Sequence, residues 1–329
     1  MRDRVVPLCL SVDKSKANSV LRALRSSKLL NDEYKITRTG DTVLIPIKET
    51  GGETLARLLE EFSIVDCNPP RRRVLVNTKM PSMEHLGEVV IVRRNVLDYI
   101  TPRDLVDRIK AVYPRVRAVW IKEETCDSFR KPLLRLLWGE EIREVVVKEY
   151  GLLFKVKLGE VYFNSRLAEE HRKVASMIKH GEVVLDAFSG VGGFAIHAVA
   201  LRQVLVFAND LNPVAYELLV ENLYLNRRRL RGVVVPLNMD TRDLVGVLRE
   251  GSVDRIIADL PHQSLEYADV YEKLLRPRGV LHIYVLSKLS ENIEELVLEK
   301  FSSWSLECCT SVLEYSPGAS IYRCDLVKV

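Results

Sequence analysis

The chain has 329 residues, 47% of them hydrophobic and 29% charged, with a formal net charge of +4 and a mean hydropathy of -0.00. These are the values of a globular chain long enough for two or three domains, and they exclude a disordered or fibrous one. No apolar run reaches the roughly 18 residues of a membrane span, and Arg2, Asp3 and Arg4 precede only a short apolar stretch, so neither a span nor a secretion signal is expected and the cytoplasm is the expected compartment. Six cysteines (Cys9, Cys67, Cys126, Cys308, Cys309, Cys324) are scattered without a C-x-x-C pair and are read as reduced core residues. The net charge divides into +4 for residues 1–75, +3 for 76–160 and -3 for the rest. A basic first half suits a polyanionic partner, and a mildly acidic second half suits chemistry.

Along the chain, residues 5 to 65 read as a small α+β unit. A strand around Val5–Val12 precedes a helix from Lys14 to Lys28, a strand Thr42–Ile47, the Gly51-Gly52 turn and a helix Thr54–Phe62. Pro69 and Pro70 followed by Arg71, Arg72 and Arg73 break the periodicity and mark a linker. Strand-like runs at Val89–Val92, Ala118–Ile121, Val145–Glu149 and Leu152–Lys157 then alternate with helical pieces at Arg103–Val112 and Pro132–Leu137. From Arg166 the pattern becomes strand, helix, strand, helix, the signature of a parallel sheet wrapped by helices. The expected division is a domain over 1–67, a linker over 68–80, a middle α/β domain over 81–160 and a sheet domain over 161–329.

The clearest chemical signal is the strand from Glu182 that runs through Asp186 and Phe188 into Gly190, Gly192 and Gly193, then a helix at Ala195–Leu201. Glycines at that junction let the backbone approach a ligand and leave helix N-terminal N–H groups free to bind it. The next strand, Val204–Ala208, ends at Asp210, placed for ribose hydroxyls, and a third, Gly232–Leu237, ends at Asp240, placed for an adenine edge. The spacing D-x-x-x-G-x-G-G departs from the G-x-G-x-x-G that seats a pyrophosphate, which argues against a dinucleotide dehydrogenase. It resembles instead the class I S-adenosylmethionine methyltransferases. The fourth strand, Val253–Ala258, ends at Asp259-Leu260-Pro261-His262, where methyltransferases of nucleobase nitrogens carry a short [Asn/Asp/Ser]-x-Pro motif.

Further motifs stand in a fixed order: Phe129-Arg130, Leu137-Trp138-Gly139-Glu140, Val161 to Arg166 with Glu170 four residues later, Asp186 to Phe194, Asp259-Leu260-Pro261 and Tyr315-Ser316-Pro317. In this set the chain resembles the archaeal and eukaryotic-type tRNA (guanine-37-N1)-methyltransferases. The resemblance is close over the second and third domains and looser over the first. It implies an α/β fold, a class I Rossmann-like domain with a mostly parallel seven-stranded sheet behind two small α+β domains, with tRNA as partner at anticodon loop and elbow and S-adenosylmethionine as cofactor. It implies no metal and a monomer. N1 of guanine must lose a proton, so Glu170 is the expected general base and Arg130 the expected stabiliser of charge developing at O6. Asp259 is placed to accept from the N2 amino group and Pro261 to wall the flipped base. The expected cofactor contacts are Arg166, Asp186, Phe188, Gly190, Gly192, Asp210, Leu211, Asp240 and Asp259.

Four positions depart from the family pattern: Ser165 and Gly193 stand for proline, Asp259 for asparagine, and His171 for the arginine after the glutamate. His171 is read as a substitution on a helix rather than a second base. An acid at 259 keeps open a paralogue acting on the wyosine-type tricyclic base, by C7 methylation or aminocarboxypropyl transfer. A non-catalytic RNA-binding subunit is the alternative of another class, disfavoured by the intact Asp186, Gly190, Gly192 and Asp210.

Overall fold

The structure, a computed structural model, describes residues 8–27, 29–31, 34–48, 62–70, 81, 83–125 and 132–329. The expected Gly51-Gly52 turn, most of the helix Thr54–Phe62, the arginines 71–73, Cys126 and the Phe129-Arg130 pair lie outside the described residues. The chain forms two compact units, Met1–Lys79 and Met80–Val329.

In the first unit β1 (Leu8–Asp13), β2 (Thr37–Thr39), β3 (Thr42–Pro46) and β4 (Ser63–Asp66) form one antiparallel sheet in the order β2-β3-β1-β4. The helix α1 (Ala17–Ser26) buries Ala17, Val20 and Leu24, a spacing of three and four that puts all three on one face. They pack with Leu10, Val12, Val43 and Ile45 into a single core. Cys9 and Cys67 are not the free thiols expected. They form a disulfide with Cα atoms 5.8 Å apart. Cys9 lies on the strand between β3 and β4, and Cys67 directly follows β4, so the antiparallel pairing that aligns Cys9 with Val65 brings two distant cysteines together.

The second unit opens with β5 (Met83–Leu86), β6 (Val89–Arg93), β7 (Ala118–Thr125) and β8 (Pro132–Gly139), hydrogen-bonded in chain order. Strands β6 and β7 run parallel, joined through α2 (Pro102–Val112). That helix starts where the sequence says it must: the Thr101 side chain accepts the Asp104 N–H at 3.2 Å, with proline at the first helical position. The helix expected over Pro132–Leu137 is instead β8, antiparallel to β7. Leucine favours helix in isolation, but β7 offers an open edge, and pairing with it overrides the local preference.

A hairpin of β9 (Glu144–Glu149) and β10 (Leu152–Lys157) follows, alternating buried with exposed side chains on β9 and buried with half-buried ones on β10. Then come α3 (Ala168–Met177), β11 (Val183–Asp186), α4 (Gly193–Leu201), β12 (Leu205–Asn209), α5 (Pro213–Asn226), β13 (Val233–Leu237), α6 (Leu244–Val247), β14 (Val253–Ala258), α7 (Ala268–Leu274), β15 (Leu275–Lys288), α8 (Ile293–Leu298), β16 (Ser305–Ser316) and β17 (Ala319–Val327). These strands form one seven-stranded sheet in the order β13-β12-β11-β14-β15-β17-β16. The first five are parallel; β17 and β16 are antiparallel additions. The mostly parallel, Rossmann-like sheet read from the sequence is therefore present. From β11 the chain winds outward through β12 and β13, then crosses back to β14 and β15. The strand order reverses between β11 and β14, and a crevice opens beyond their carboxyl ends. A second disulfide, Cys309–Cys324, joins directly opposed residues of β16 and β17, so these two cysteines also depart from the reduced reading. Cys308 is a free, exposed thiol.

Candidate active site

Strand β11 delivers Asp186 to the switch point fully buried. Its Oδ2 accepts the Ala195 N–H at 3.2 Å, which ties the strand end to the first turn of α4. Burial pushes the Asp186 carboxyl well up from the ordinary carboxylate range, and the negative charge of Asp259, beyond the neighbouring strand β14, adds to this. Gly192 closes the turn at φ +99°, and a Cβ there would sit 2.5 Å from Leu219 Cδ1, so both conformation and space require glycine. Asp210, just after β12, accepts the Gly190 N–H through Oδ2 and the Asn212 N–H through Oδ1, each at 2.8 Å. The acid thus braces the glycine turn. Burial pushes its pKa up against these bonds.

A cleft of about 1420 Å³, open mouth included, lies over these strand ends. Phe188, Gly190, Asp210, Leu211, Asp240, Asp259 and Pro261 line it; Asp186 and Gly192 shape the turn behind. Phe188 stands edge-on to Tyr267 at 5.1 Å, Leu211 is 51% exposed, and Asp240 accepts the Arg242 N–H at 2.9 Å. Arg166 is placed elsewhere, in an adjoining cleft with Arg93 and Lys122. Asn164, Tyr162 and Tyr315 line both. Two buried atoms in the cradle, Asp186 Oδ1 and Ser189 Oγ, have no hydrogen-bond partner. Buried polar atoms are rarely left so, and a polar ligand seated on the glycine turn would satisfy them. The cradle therefore fits a nucleoside-bearing cofactor such as S-adenosylmethionine.

Glu170 lies on α3, 7% exposed. Its Oε1 accepts from the Tyr284 hydroxyl at 2.8 Å and from Arg323 Nη1, with which it forms an ion pair. Arg323 also donates through Nε to Asp325 Oδ1 at 2.8 Å. Burial works against the Arg323 charge, but the Asp325 and Glu170 carboxylates outweigh it and raise the pKa further above the ordinary guanidinium value. The Tyr284 phenol is likewise pushed well up, by burial and then by the Glu170 charge. Beyond β14, the Pro261 carbonyl accepts the Leu286 N–H at 2.8 Å, which fixes the Asp259-Leu260-Pro261 loop against β15. His262 meets Tyr315 edge-on at 5.4 Å, so two of the ordered motifs, far apart in sequence, face one another. Arg130 belongs to the residues not described.

Residues 145–313 match the family model described as the TRM5/TYW2 methyltransferase domain. The chain belongs to the TRM5/TYW2 methyltransferase family. Residues 9–61 match the tRNA methyltransferase 5 N-terminal domain. Among relatives, the tRNA (guanine(37)-N(1))-methyltransferase Trm5b of Pyrococcus abyssi is 33% identical over 287 residues, 84% of this chain and 83% of that protein. A tRNA(Phe) (4-demethylwyosine(37)-C(7)) aminocarboxypropyltransferase of Methanocaldococcus jannaschii is 33% identical over 205 residues, 61% of this chain and 76% of that protein. A solved complex of aTrm5 with tRNALeu superposes with a TM-score of 0.68 at 26% identity, covering 98% of this chain and all of that one.

Several features of this site escape the motifs. Arg323, Asp325 and Tyr284 sit on β17 and β15, in a stretch with no recognisable pattern, and only the sheet pairing brings them to Glu170. His171 is not a solvated helix position but 6% exposed, against Glu149 and His197. Burying a polar helix residue needs a partner, and here the partner comes from the hairpin strand β9.

Proposed function

We propose that the chain transfers a methyl group from S-adenosylmethionine to N1 of guanosine 37 in the anticodon loop of tRNA, acting as a monomer in the cytoplasm. The observation that carries this reading is the extent of the kinship. Relatives named for guanine-37 N1 methylation match both units, including the N-terminal domain, whereas the aminocarboxypropyltransferase relative matches a shorter stretch. Among the described residues no helix is long and apolar enough to cross a membrane.

Bound on the glycine turn, the cofactor supplies an electrophilic sulfonium methyl. The remaining work falls to the chain. Asp186, Asp210 and Asp240, with Phe188 and Leu211, would hold the nucleoside end. Pro261 and its loop wall the flipped guanine, and Asp259 accepts from the N2 amino group. Glu170 takes the N1 proton on Oε2, since Tyr284 and Arg323 both engage Oε1. Arg130 meets the charge that develops at O6. The first unit, joined through Pro69 and the arginines that follow, grips tRNA at the elbow, and residues 81–160 approach the anticodon arm.

Transfer of labelled methyl from S-adenosylmethionine to a tRNA transcript with guanosine 37 tests the reading. Label should enter that transcript and fail to enter one with adenosine 37. Equal incorporation into both would overturn the position, and no incorporation at all would overturn the activity.

A further inference from the structure

Glu149, His171 and His197 come from three elements, β9, α3 and α4, yet their side chains meet in the interior. His171 Nδ1 lies 2.9 Å and His197 Nε2 3.2 Å from the same oxygen, Glu149 Oε2. All three side chains are buried, and the donor atoms lie within 4.8 Å of one another. Glu149 Oε1 is buried without a hydrogen-bond partner. Two neutral imidazoles donating to one carboxylate oxygen account for Oε2 only; the second oxygen of a desolvated carboxylate stays unsatisfied, which is costly.

Gly193, at the start of α4, falls on this same spot. A Cβ at residue 193 would come within 2.6 Å of His171 Cε1 and Nε2, so the glycine clears the space that the imidazole fills. The imidazole at 171 is seated by its neighbours rather than merely tolerated.

We propose that Glu149, His171 and His197 form a binding site for a zinc-class divalent transition metal ion, which clamps the hairpin to the two helices flanking the cofactor turn. Two imidazole nitrogens with a carboxylate suit zinc or cobalt and argue against magnesium and calcium, which prefer oxygen alone. Coordination through both Glu149 oxygens gives four donors, in a geometry distorted from tetrahedral by the short carboxylate bite, and satisfies Oε1. Donors on separate ligands of a zinc site stand about 3.3 Å apart, close to the 2.9 and 3.2 Å between the two nitrogens and Glu149 Oε2. His171 follows Glu170 by one residue and lies against Gly193, so the role of the ion is to position α3 and α4.

The test uses the full-length chain, stripped with a chelator and titrated with Co²⁺. About one equivalent should bind with the visible absorption of a four-coordinate nitrogen and oxygen site and without a thiolate charge-transfer band, and Zn²⁺ should bleach it. Excess Zn²⁺ should raise the thermal midpoint of the stripped protein. His197→Gln and Glu149→Gln should each abolish the cobalt spectrum, while Cys308→Ser leaves it intact. Absence of the spectrum from the parent chain, a thiolate band, or a spectrum that survives in folded His197→Gln would overturn the site. Should the variants fail to fold, the parent's spectrum and stoichiometry decide alone.

Discussion

Arg323 binds Glu170 and Asp325 at once from a position 2% exposed, so it is the side chain on which the acid's placement depends most. Arg323→Met leaves the buried Glu170 carboxylate without its cation, while Asp325 keeps its His282 bond, a change expected to cost about 3–5 kcal/mol in chemical denaturation. Glu170→Gln keeps size and polarity but cannot take a proton. Single-turnover methyl transfer should drop by ~10²–10⁴ while tRNA and cofactor still bind, and a near-parent rate would move the base to another residue. Asp210→Ala removes the brace of Gly190 as well as the expected ribose acceptor, so calorimetry should show weaker cofactor binding; unchanged affinity would contradict its role. Asp186, Asp210, Asp240 and Asp259 were legible because an acid at the end of a parallel strand has a fixed place in this topology. Arg323 and the Glu149 cluster were not, because their meaning lies in partners 153 and 22 residues away, which no local spacing encodes.

At the level of elements, the hairpin and α5 are joined by two asparagines rather than by apolar contact alone. Asn222 accepts the Lys155 N–H at 2.7 Å and donates to the Lys155 carbonyl at 3.1 Å, and Asn226 treats Leu153 the same way at 2.9 and 2.7 Å. The helix thereby completes the hydrogen bonds of an edge strand, which also blocks pairing with another chain. Asn222→Ala strands two partly buried backbone groups and should destabilise the second unit by about 1–3 kcal/mol. A period of apolar residues is blind to this polar seam. In the same way it took the leucine run after Pro132 for a helix, since short apolar runs carry no period that separates a helix from a strand. A glycine does carry such information: Gly139, at φ +94°, ends β8 where a Cβ would overlap the Arg117 carbonyl.

Across β14, β15 and β17 runs a polar chain whose pH response is specific. His282 on β15 donates through Nδ1 to Asp325 Oδ1 at 2.6 Å, and its Nε2 accepts from Arg255 Nη1 at 2.6 Å, which is the pattern of a neutral ring. Burial holds its pKa below the ordinary 6.5 despite Asp325, with Arg255 and Arg323 acting in the same sense as burial. Burial works to raise Asp325, but the His282 bond and the Arg323 charge prevail and hold it below the ordinary carboxylate range. Both groups take up protons more readily in the unfolded chain. Their contribution is full above the ordinary imidazole value, fades as pH falls below about 6.5, and fades again through the acid range as Asp325 protonates. The thermal midpoint of the parent should therefore lose ground to that of His282→Asn between about pH 7.5 and about pH 5. A gap that stays constant would contradict the neutral, buried assignment.

At the scale of the whole molecule the chain forms two units, and the disulfide Cys9–Cys67 lies wholly within the first. Deleting residues 1–79 should weaken tRNA binding and leave cofactor affinity unchanged; full tRNA affinity in the truncated chain would contradict the gripping role. The parallel sheet and the place of the glycine turn were readable from the sequence because βα repeats impose their own spacing, whereas the order of the strands came only from their pairing. The disulfides were not readable, because pairing between cysteines 58 residues apart is set by strand register. The central claim is methylation at one atom of one nucleotide. Nucleoside mass spectrometry of a guanosine-37 tRNA transcript, digested after incubation with the chain and S-adenosylmethionine, tests it most directly. The account predicts 1-methylguanosine, confined to position 37 and missing when Glu170→Gln replaces the parent under single-turnover timing. An aminocarboxypropyl adduct, or methylguanosine at another position or ring atom, would contradict it.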